Sequence, residues 1–436
     1  MALDVKPGKD NIDWWHGKKT GTLELALAND PIMPVLPDFH PHRHSGLIEF
    51  PVHHMRGGTS TGLVLWEPYL PPQQHLREEL LRHLMGVPQA GSQPGNRQIT
   101  GLGRGPATSN KVFIADVEQH AGQPRLVSTL AQLASEHGNI DWSVNCGNMS
   151  SALQLWGIDM GLLASNSSGP QQVSIRNTNT GVISTSRMML SDDGRYATAA
   201  IPGVHGEFPA VDLFLHDPVG AKTGKLLPTG SVQDVVAGYT VSCVDVAVPM
   251  VIADAAQFGK TAQEPIRELE ADTAFMQAVR TVWVAAGLRM GLRRRDGGLM
   301  TQDELARSET IPKFCIIGPP QAGGNLAARY FTPQTGHASL AVSGGCCLAA
   351  ATLIPGTVAK SIARHVAPVA EKYGDVQIGI ENPAGILDTT IVARQVDGQI
   401  GIASAAYRRS TQILLRGHVP LYQASPELQA WFRELN

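Results

Sequence analysis

The chain has 436 residues, more than one ordinary hydrophobic core accommodates, so two domains of roughly 200 residues each are expected. Lys and Arg number 35 against 38 Asp and Glu, a formal net charge of -3, which excludes the basic stripe of a nucleic-acid-binding surface. Forty-five glycines and 29 prolines beside 6% aromatic residues exclude a long helical bundle and favour short elements joined by turns.

In chain order, residues 1–46 read as an N-terminal extension. Its first 19 residues lack the continuous apolar run of a secretory signal, and Pro31, Pro34, Pro37 and Pro41 interrupt any period. Residues 38–44 show neither helical nor strand spacing. His40, His42 and His44, with His53 and His54 nearby, are metal-ligand types, but no carboxylate or cysteine completes a set; a solvated arm is expected and no metal site. From Leu47, short apolar runs predict strands at 48–55, 62–66, 111–117, 173–177, 181–189 and 196–201. Helical spacing appears at 74–85 and 151–163. A first domain, 47–230, ends in a glycine-proline hinge at 224–230. A second, 231–436, is predicted to hold strands at 238–248, 314–317 and 339–343 and a helix at 272–286, with a C-terminal segment able to cross back to the first. The uncharged stretch 335–359 is broken by Ser343, Gly344, Gly345 and Pro355, and its apolar part is too short to cross a membrane. It reads as a buried strand entering a core helix.

Five cysteines, Cys146, Cys243, Cys315, Cys346 and Cys347, form no C-x-x-C pair, so neither a disulfide framework nor a zinc site is indicated and a reducing cytoplasm is expected. Cys146 stands out. The run 140–144 ends at Asn145, Gly147 allows a tight turn, and Asn148 or Ser150 can cap the helix that follows. A thiol at a helix mouth meets unpaired backbone N–H groups, which favour thiolate; a buried, inert cysteine is the other reading. The second half echoes this device: a strand at 340–342, then Ser343, Gly344, Gly345, Cys346 and Cys347, then a helix of small residues. Two such helix N-termini facing one cleft would hold a di- or tricarboxylate.

Three further segments suit the same pocket. At Met55, Arg56, Gly57, Gly58, Thr59, Ser60 and Thr61, glycines let backbone approach a ligand, hydroxyls donate, and Arg56 can fork onto a carboxylate. A glycine loop, 99–110, ends in Ser109, Asn110 and Lys111 at the lip of an apolar strand. It is no Walker loop, because no helix follows, but a partly desolvated Lys111 is a usable acid or base. Lys313, after Ile311 and Pro312, offers another cation. Surface arginine and lysines are the alternative for each.

Taken together, MRGGTSTG at 55–62, the loop ending TSNK at 108–111, DWSVNCGNMSSA at 141–152, GKLLPTG at 224–230, VSCVDVAVP at 241–249 and IPK at 311–313 resemble the PrpF-type isomerases. These act on 2-methylaconitate, 4-oxalomesaconate or aconitate. The resemblance runs from about 48 to about 421. It implies an α+β fold similar to diaminopimelate epimerase: two pseudo-symmetric domains, each a β-sheet curled around a central helix, with the site between them. It implies a cofactor-independent 1,3-proton shift on an unsaturated di- or tricarboxylate, with Cys146 in the NCGN motif and Lys111 in the TSK motif as the catalytic pair. Arg56, Gly57, Gly58, Thr59, Ser60, Thr61, Ser109, Asn145, Gly147, Asn148, Met149, Lys313, Ser343, Gly344 and Gly345 are the expected substrate-binding residues, with donors on the charge of the intermediate at Gly57, Gly58, 147–150 and 344–347. Which of the pair acts first is open. A 4-oxalomesaconate tautomerase, an epimerase using Cys146 with Cys346 or Cys347, and a non-catalytic carboxylate binder are the alternatives. The expected partner is a small-molecule polycarboxylate, with no nucleic acid or membrane and a monomeric or homodimeric state. Departures from the family pattern are Thr61 in place of a common lysine, Arg104 in place of glycine, the insertion of Asn110, and Asn382 in place of histidine.

Overall fold

The computed structural model describes residues 21–22, 36, 39–105, 109–143, 145–164, 168–294 and 296–434. Most of the expected N-terminal extension, with Pro31, Pro34 and Pro37, lies outside the described residues. Its end does not, and there the expected irregular arm is corrected: His42–His44 is a strand antiparallel to the start of Leu47–Gly57. Ser45 and Gly46 make the turn with φ of 51° and 84°. Three residues are too few to display a period of two.

Two half-sheets repeat one succession of strands. In the first, the Leu47–Gly57/Ser60–Trp66 hairpin steps in parallel to Lys111–His120, which turns back as Gln123–Leu133. That strand steps in parallel to Gly169–Asn177, which turns back as Ile183–Leu190 and pairs onward to Phe208–His216. In the second, the Tyr239–Val246/Val248–Asp254 hairpin steps in parallel to Lys313–Gly318, turns back as Leu326–Thr332, steps in parallel to Gly374–Asn382 and turns back as Gly385–Val396. Lys111 and Lys313 thus occupy equivalent places, each opening the strand after the first parallel step, opposite Gly62 and Met250. The fold is α+β and pseudo-symmetric.

The strand Gln399–Leu421, 23 residues long, joins the halves. It pairs with Gly385–Val396 of the second, then with Phe208–His216 and Leu47–Gly57 of the first. A short helix fills each curl. Leu153–Asp159 buries Leu153, Trp156 and Gly157, and Val342–Ala351 buries everything from Gly344 to Ala351. Both helices belong to one apolar cluster that runs through the two halves, with Phe113, Leu130 and Ile175 on one side and Ile252, Ile317 and Ile391 on the other. Gln74–Met85 lies outside the first half-sheet on Leu76, Leu80, Leu81 and Leu84, and stops at Gly86 in the left-handed region.

Several predicted boundaries are corrected. The helix expected at 151–163 is two pieces, Gly147–Ser150 and Leu153–Asp159, separated by a turn. The strand expected at 238–248 is a hairpin, because Ala247 takes φ of 63° and reverses the chain between Val246 and Val248. No strand forms at 339–343: the chain is irregular to Ala341 and the helix starts at Val342. Of 196–201 only Thr198–Ala199 forms a strand, and Tyr196 makes an isolated antiparallel bridge to Leu190.

Trp156 is fully buried and its Nε1 has no acceptor among the described residues. Trp156→Ala is expected to cost about 3–5 kcal/mol in urea unfolding, and Trp156→Phe much less, because no hydrogen bond is lost with the indole. His54, on Leu47–Gly57, is pushed down to about 4 by burial and by the charge of Arg104. The unfolded chain therefore takes up a proton that the folded chain refuses. Stability should fall as pH drops from 6.5 toward 4, by roughly 2–3 kcal/mol, and this part of the acid slope should vanish in His54→Phe.

Candidate active site

Cys146 is the N-cap of Gly147–Ser150, in extended conformation with φ of -132°. Its N–H donates to Asn145 Oδ1 at 2.7 Å, and its carbonyl accepts from Ser150 N at 2.9 Å and Ser150 Oγ at 3.0 Å. The expected caps are thus corrected: Ser150 binds backward to Cys146, and Asn148 turns away to donate to Thr59 Oγ1 at 3.1 Å. Among the five cysteines Cys146 alone is open to solvent; Cys243, Cys315, Cys346 and Cys347 are buried, and burial pushes the Cys243 and Cys346 thiols up to about 12.

The placement of Cys146 depends on close backbone approach. A Cβ on Gly57 would stand 2.5 Å from the Asn148 carbonyl oxygen, and one on Gly58 2.5 Å from Asn148 Oδ1. Gly58 also has φ of 54°. The hairpin loop and the Gly147 turn therefore interlock only because both positions lack a side chain.

Lys111 opens its strand beside this turn, 6% exposed. Burial holds its ammonium below the ordinary lysine value, and the Cys146 sulfur's charge pulls the other way. The two groups predicted from separate motifs therefore share one electrostatic environment. The inserted Asn110 has a visible task. Fully buried, it donates to Gln98 Oε1 and to the Gly105 carbonyl, and its Oδ1 accepts from Arg104 N, fixing the glycine loop ahead of Lys111. Ser109 lies in the same bend, half-buried. Arg104 itself is exposed.

Arg56 is buried, and its Nη1 donates to the carbonyls of Gly58 and Ser410 while Phe208 covers its guanidinium at 4.6 Å. It fastens the loop that carries Thr59, Ser60 and Thr61. Thr59 is exposed, Ser60 is buried, and Thr61 Oγ1 is buried without an acceptor or donor among the described residues. Met149 is buried in the central core.

On the second half lie Lys313, likewise held below the ordinary lysine value by burial and felt by His337, and the start of Val342–Ala351. Ser343 is half-buried, and Gly344 and Gly345 are buried. The helix begins earlier than expected, and the donors shift with it. Ala341 gives no side-chain cap, and Gly345 N already donates to the Ala341 carbonyl at 2.8 Å. The unpaired N–H groups are therefore those of Val342, Ser343 and Gly344 rather than 344–347. Asn382 stands beside this turn, its Oδ1 accepting from Ser339 Oγ at 3.2 Å.

Sequence reasoning missed Tyr330, Tyr407 and Arg409. Tyr330, wholly buried, has a hydroxyl without a partner among the described residues, and its ring lies against Gly344. Tyr407 is buried, abuts Gly147 and feels the charges of Cys146 and Cys346. Arg409 donates from Nε to Asn148 Oδ1 at 2.9 Å. An arginine among the small residues of 403–411 was the available signal. No group of three His, Cys, Asp or Glu able to hold a metal occurs among the described residues.

Gly58→Ala combines a left-handed φ with a clash on Asn148. It is expected to cost about 1–3 kcal/mol, read as a lowered urea midpoint, and to displace the Gly147 turn. Alkylation of Cys146, followed by peptide mass spectrometry, should change in rate.

A family model described as PrpF protein matches residues 47–422. The putative isomerase YbhH of Escherichia coli (strain K12) is 33% identical over 374 residues, 84% of this chain and 97% of that protein. The 4-oxalomesaconate tautomerase of Pseudomonas putida is 33% identical over 344 residues, 78% of this chain and 88% of the relative. Among solved structures, a methylitaconate-delta-isomerase superposes with a TM-score of 0.71 at 25% identity, covering 86% of this chain and 96% of the other.

Proposed function

The chain belongs to the PrpF family and is an isomerase, and from that premise we propose that Cys146 and Lys111 exchange the proton in a 1,3-shift on an unsaturated di- or tricarboxylate. One of the pair removes a proton from a carbon α or γ to a carboxylate. The electrons spread through the adjacent double bond onto carboxylate oxygen, and the other member returns a proton two carbons away. The double bond has then moved or changed geometry, and the pair has exchanged its proton. In the reverse direction the roles invert.

The observation that carries this reading is the pairing of Lys111, buried and held below its ordinary range, with the one cysteine open to solvent. A desolvated lysine gives up and accepts a proton nearer neutrality than a surface one. Charge developing on the substrate carboxylate would meet the backbone N–H groups of the Gly147 turn and Val342–Gly344, whereas the Gly58 N–H expected there is already given to the Ser410 carbonyl at 2.9 Å. Lys313 would supply a second cation from the opposite half. A two-cysteine epimerase draws less support, because Cys346 is fully buried and its thiol is pushed up to about 12.

The test is proton NMR in deuterated water with cis-aconitate, 2-methylaconitate and 4-oxalomesaconate. One of them should gain solvent deuterium at an allylic carbon as its double bond moves; no exchange with any would sink the reading in favour of a carboxylate-binding protein. Cys146→Ser and Lys111→Met should each lower kcat by roughly 10²–10⁴-fold with circular dichroism unchanged. Substantial turnover in Lys111→Met would instead favour the two-cysteine chemistry.

A further inference from the structure

Four arginines among the described residues are more than nine-tenths buried, and they differ in how the protein meets their charge. Arg187 is bridged to Asp212 and Asp375. Arg329 donates from Nε, Nη1 and Nη2 to the carbonyls of Glu264, Ala328 and Gln263. Arg56 has no carboxylate within ion-pair distance among the described residues either; it gives Nη1 to two carbonyls and a hydroxyl, and its Nη2 is buried without a hydrogen-bond partner among them, closed off from any ligand. Arg409 differs. It is 7% exposed, donates from Nε to Asn148 Oδ1 at 2.9 Å and from Nη1 to the Arg408 carbonyl at 3.0 Å, and has no carboxylate within ion-pair distance among the described residues. Its other near neighbours are the Tyr407 ring at 4.9 Å and Cys346, both neutral because burial raises them.

Position matters as much as charge. Successive side chains of a strand face opposite ways: Arg408 turns to Asp212, and Arg409 turns to the cleft side, against Asn148. A Cβ on Gly58 would stand 3.0 Å from Arg409 Cδ. The guanidinium therefore sits where the hairpin loop, the turn after Cys146 and the Cys346 helix meet. Thr61 brings no charge to this edge of the site, and Arg104 is exposed. A buried cation without a counter-ion is destabilising in the empty protein and is relieved when an anion binds.

We propose that Arg409 is a substrate-binding residue whose guanidinium pairs with a carboxylate of the molecule isomerised at Cys146 and Lys111. The inference rests on the polycarboxylate reading above. It adds Arg409 to the buried Lys111 and the half-buried Lys313 as a cation offered to the substrate and matches the site to a molecule with more than one carboxylate. A residue that served only as a structural rivet, holding Asn148, would stabilise the empty protein; an anchor waiting for an anion would not.

The full chain, Arg409→Met and Arg409→Lys are compared by thermal unfolding with and without tricarballylate, a saturated tricarboxylate, and by calorimetric titration of the same probe. Arg409→Met should unfold at the same or a higher temperature than the parent when empty, lose the ligand-induced rise, and bind tricarballylate at least about 30-fold more weakly. KM for the substrate found active should rise by a similar factor. Arg409→Lys, which keeps the charge but not the planar fork, should bind roughly 5- to 10-fold more weakly with unchanged circular dichroism, and it carries the test if the Met variant does not fold. Binding within about threefold of the parent in either folded variant overturns the role of Arg409 alone. A parent protein that neither binds tricarballylate nor turns over any of the three acids overturns the polycarboxylate reading, and this inference with it.

Discussion

One strand, Gln399–Leu421, is the constraint on which the site depends. Its first part is hydrogen-bonded to the second half-sheet and its last part to the first strand of the first half-sheet. Tyr407 ends the first of those stretches, and Arg409 and Ser410 lie between them, paired with Val211 and Ala210 of the first half. Because both ladders must be satisfied together, the middle of the strand has little freedom in register or tilt. Ser410 accepts from Gly58 N and Arg56, and Arg409 holds Asn148. The loop at 57–60 and the turn after Cys146 are therefore referenced to the same few residues, and through them to both halves.

Burial then sorts the ionisable groups. It lowers Lys111 and Lys313, which loses them some of their charge preference, and raises Cys243, Cys315, Cys346 and Cys347, which keeps those sulfurs protonated. The same physical effect makes the lysines more reactive and the inner cysteines less so. Cys146 is the one cysteine that is not buried, standing at the open end of a four-residue helix.

The sequence was most legible where local and tertiary preferences agree. Gln74–Met85 was predicted to the residue, since its leucines face one way and Gly86 ends it. The strand after Lys111 was legible because a charged lip precedes four apolar residues, Val112 to Ala115. Legibility failed where long-range packing overrides local pattern. The last long strand carries Arg408, Arg409, Ser410 and Thr411, a polar run with no alternation, and reads as a strand only once its partners on both sides are known. Ala247 takes a left-handed φ that nothing in an alanine announces. The echo between Cys146 and Cys346 pointed to a helix after each cysteine turn, but both helices begin earlier than expected and the strand at 339–343 does not form; the real repeat is in the parallel steps that place Lys111 and Lys313. Asn110 looked like a disruption of the lysine motif, yet its three hydrogen bonds hold the loop that the insertion lengthened.

The unequal exposure of the five sulfurs also gives the protein a natural stoichiometric readout. In the folded state a thiol reagent meets a single reachable sulfur, so one equivalent reacted per chain counts intact sites directly. Four more equivalents appear only when the core opens. The native protein is, for labelling purposes, a single-cysteine protein whose unique handle lies at the proposed reaction centre, and a fluorophore or spin label placed there needs no prior removal of the other four.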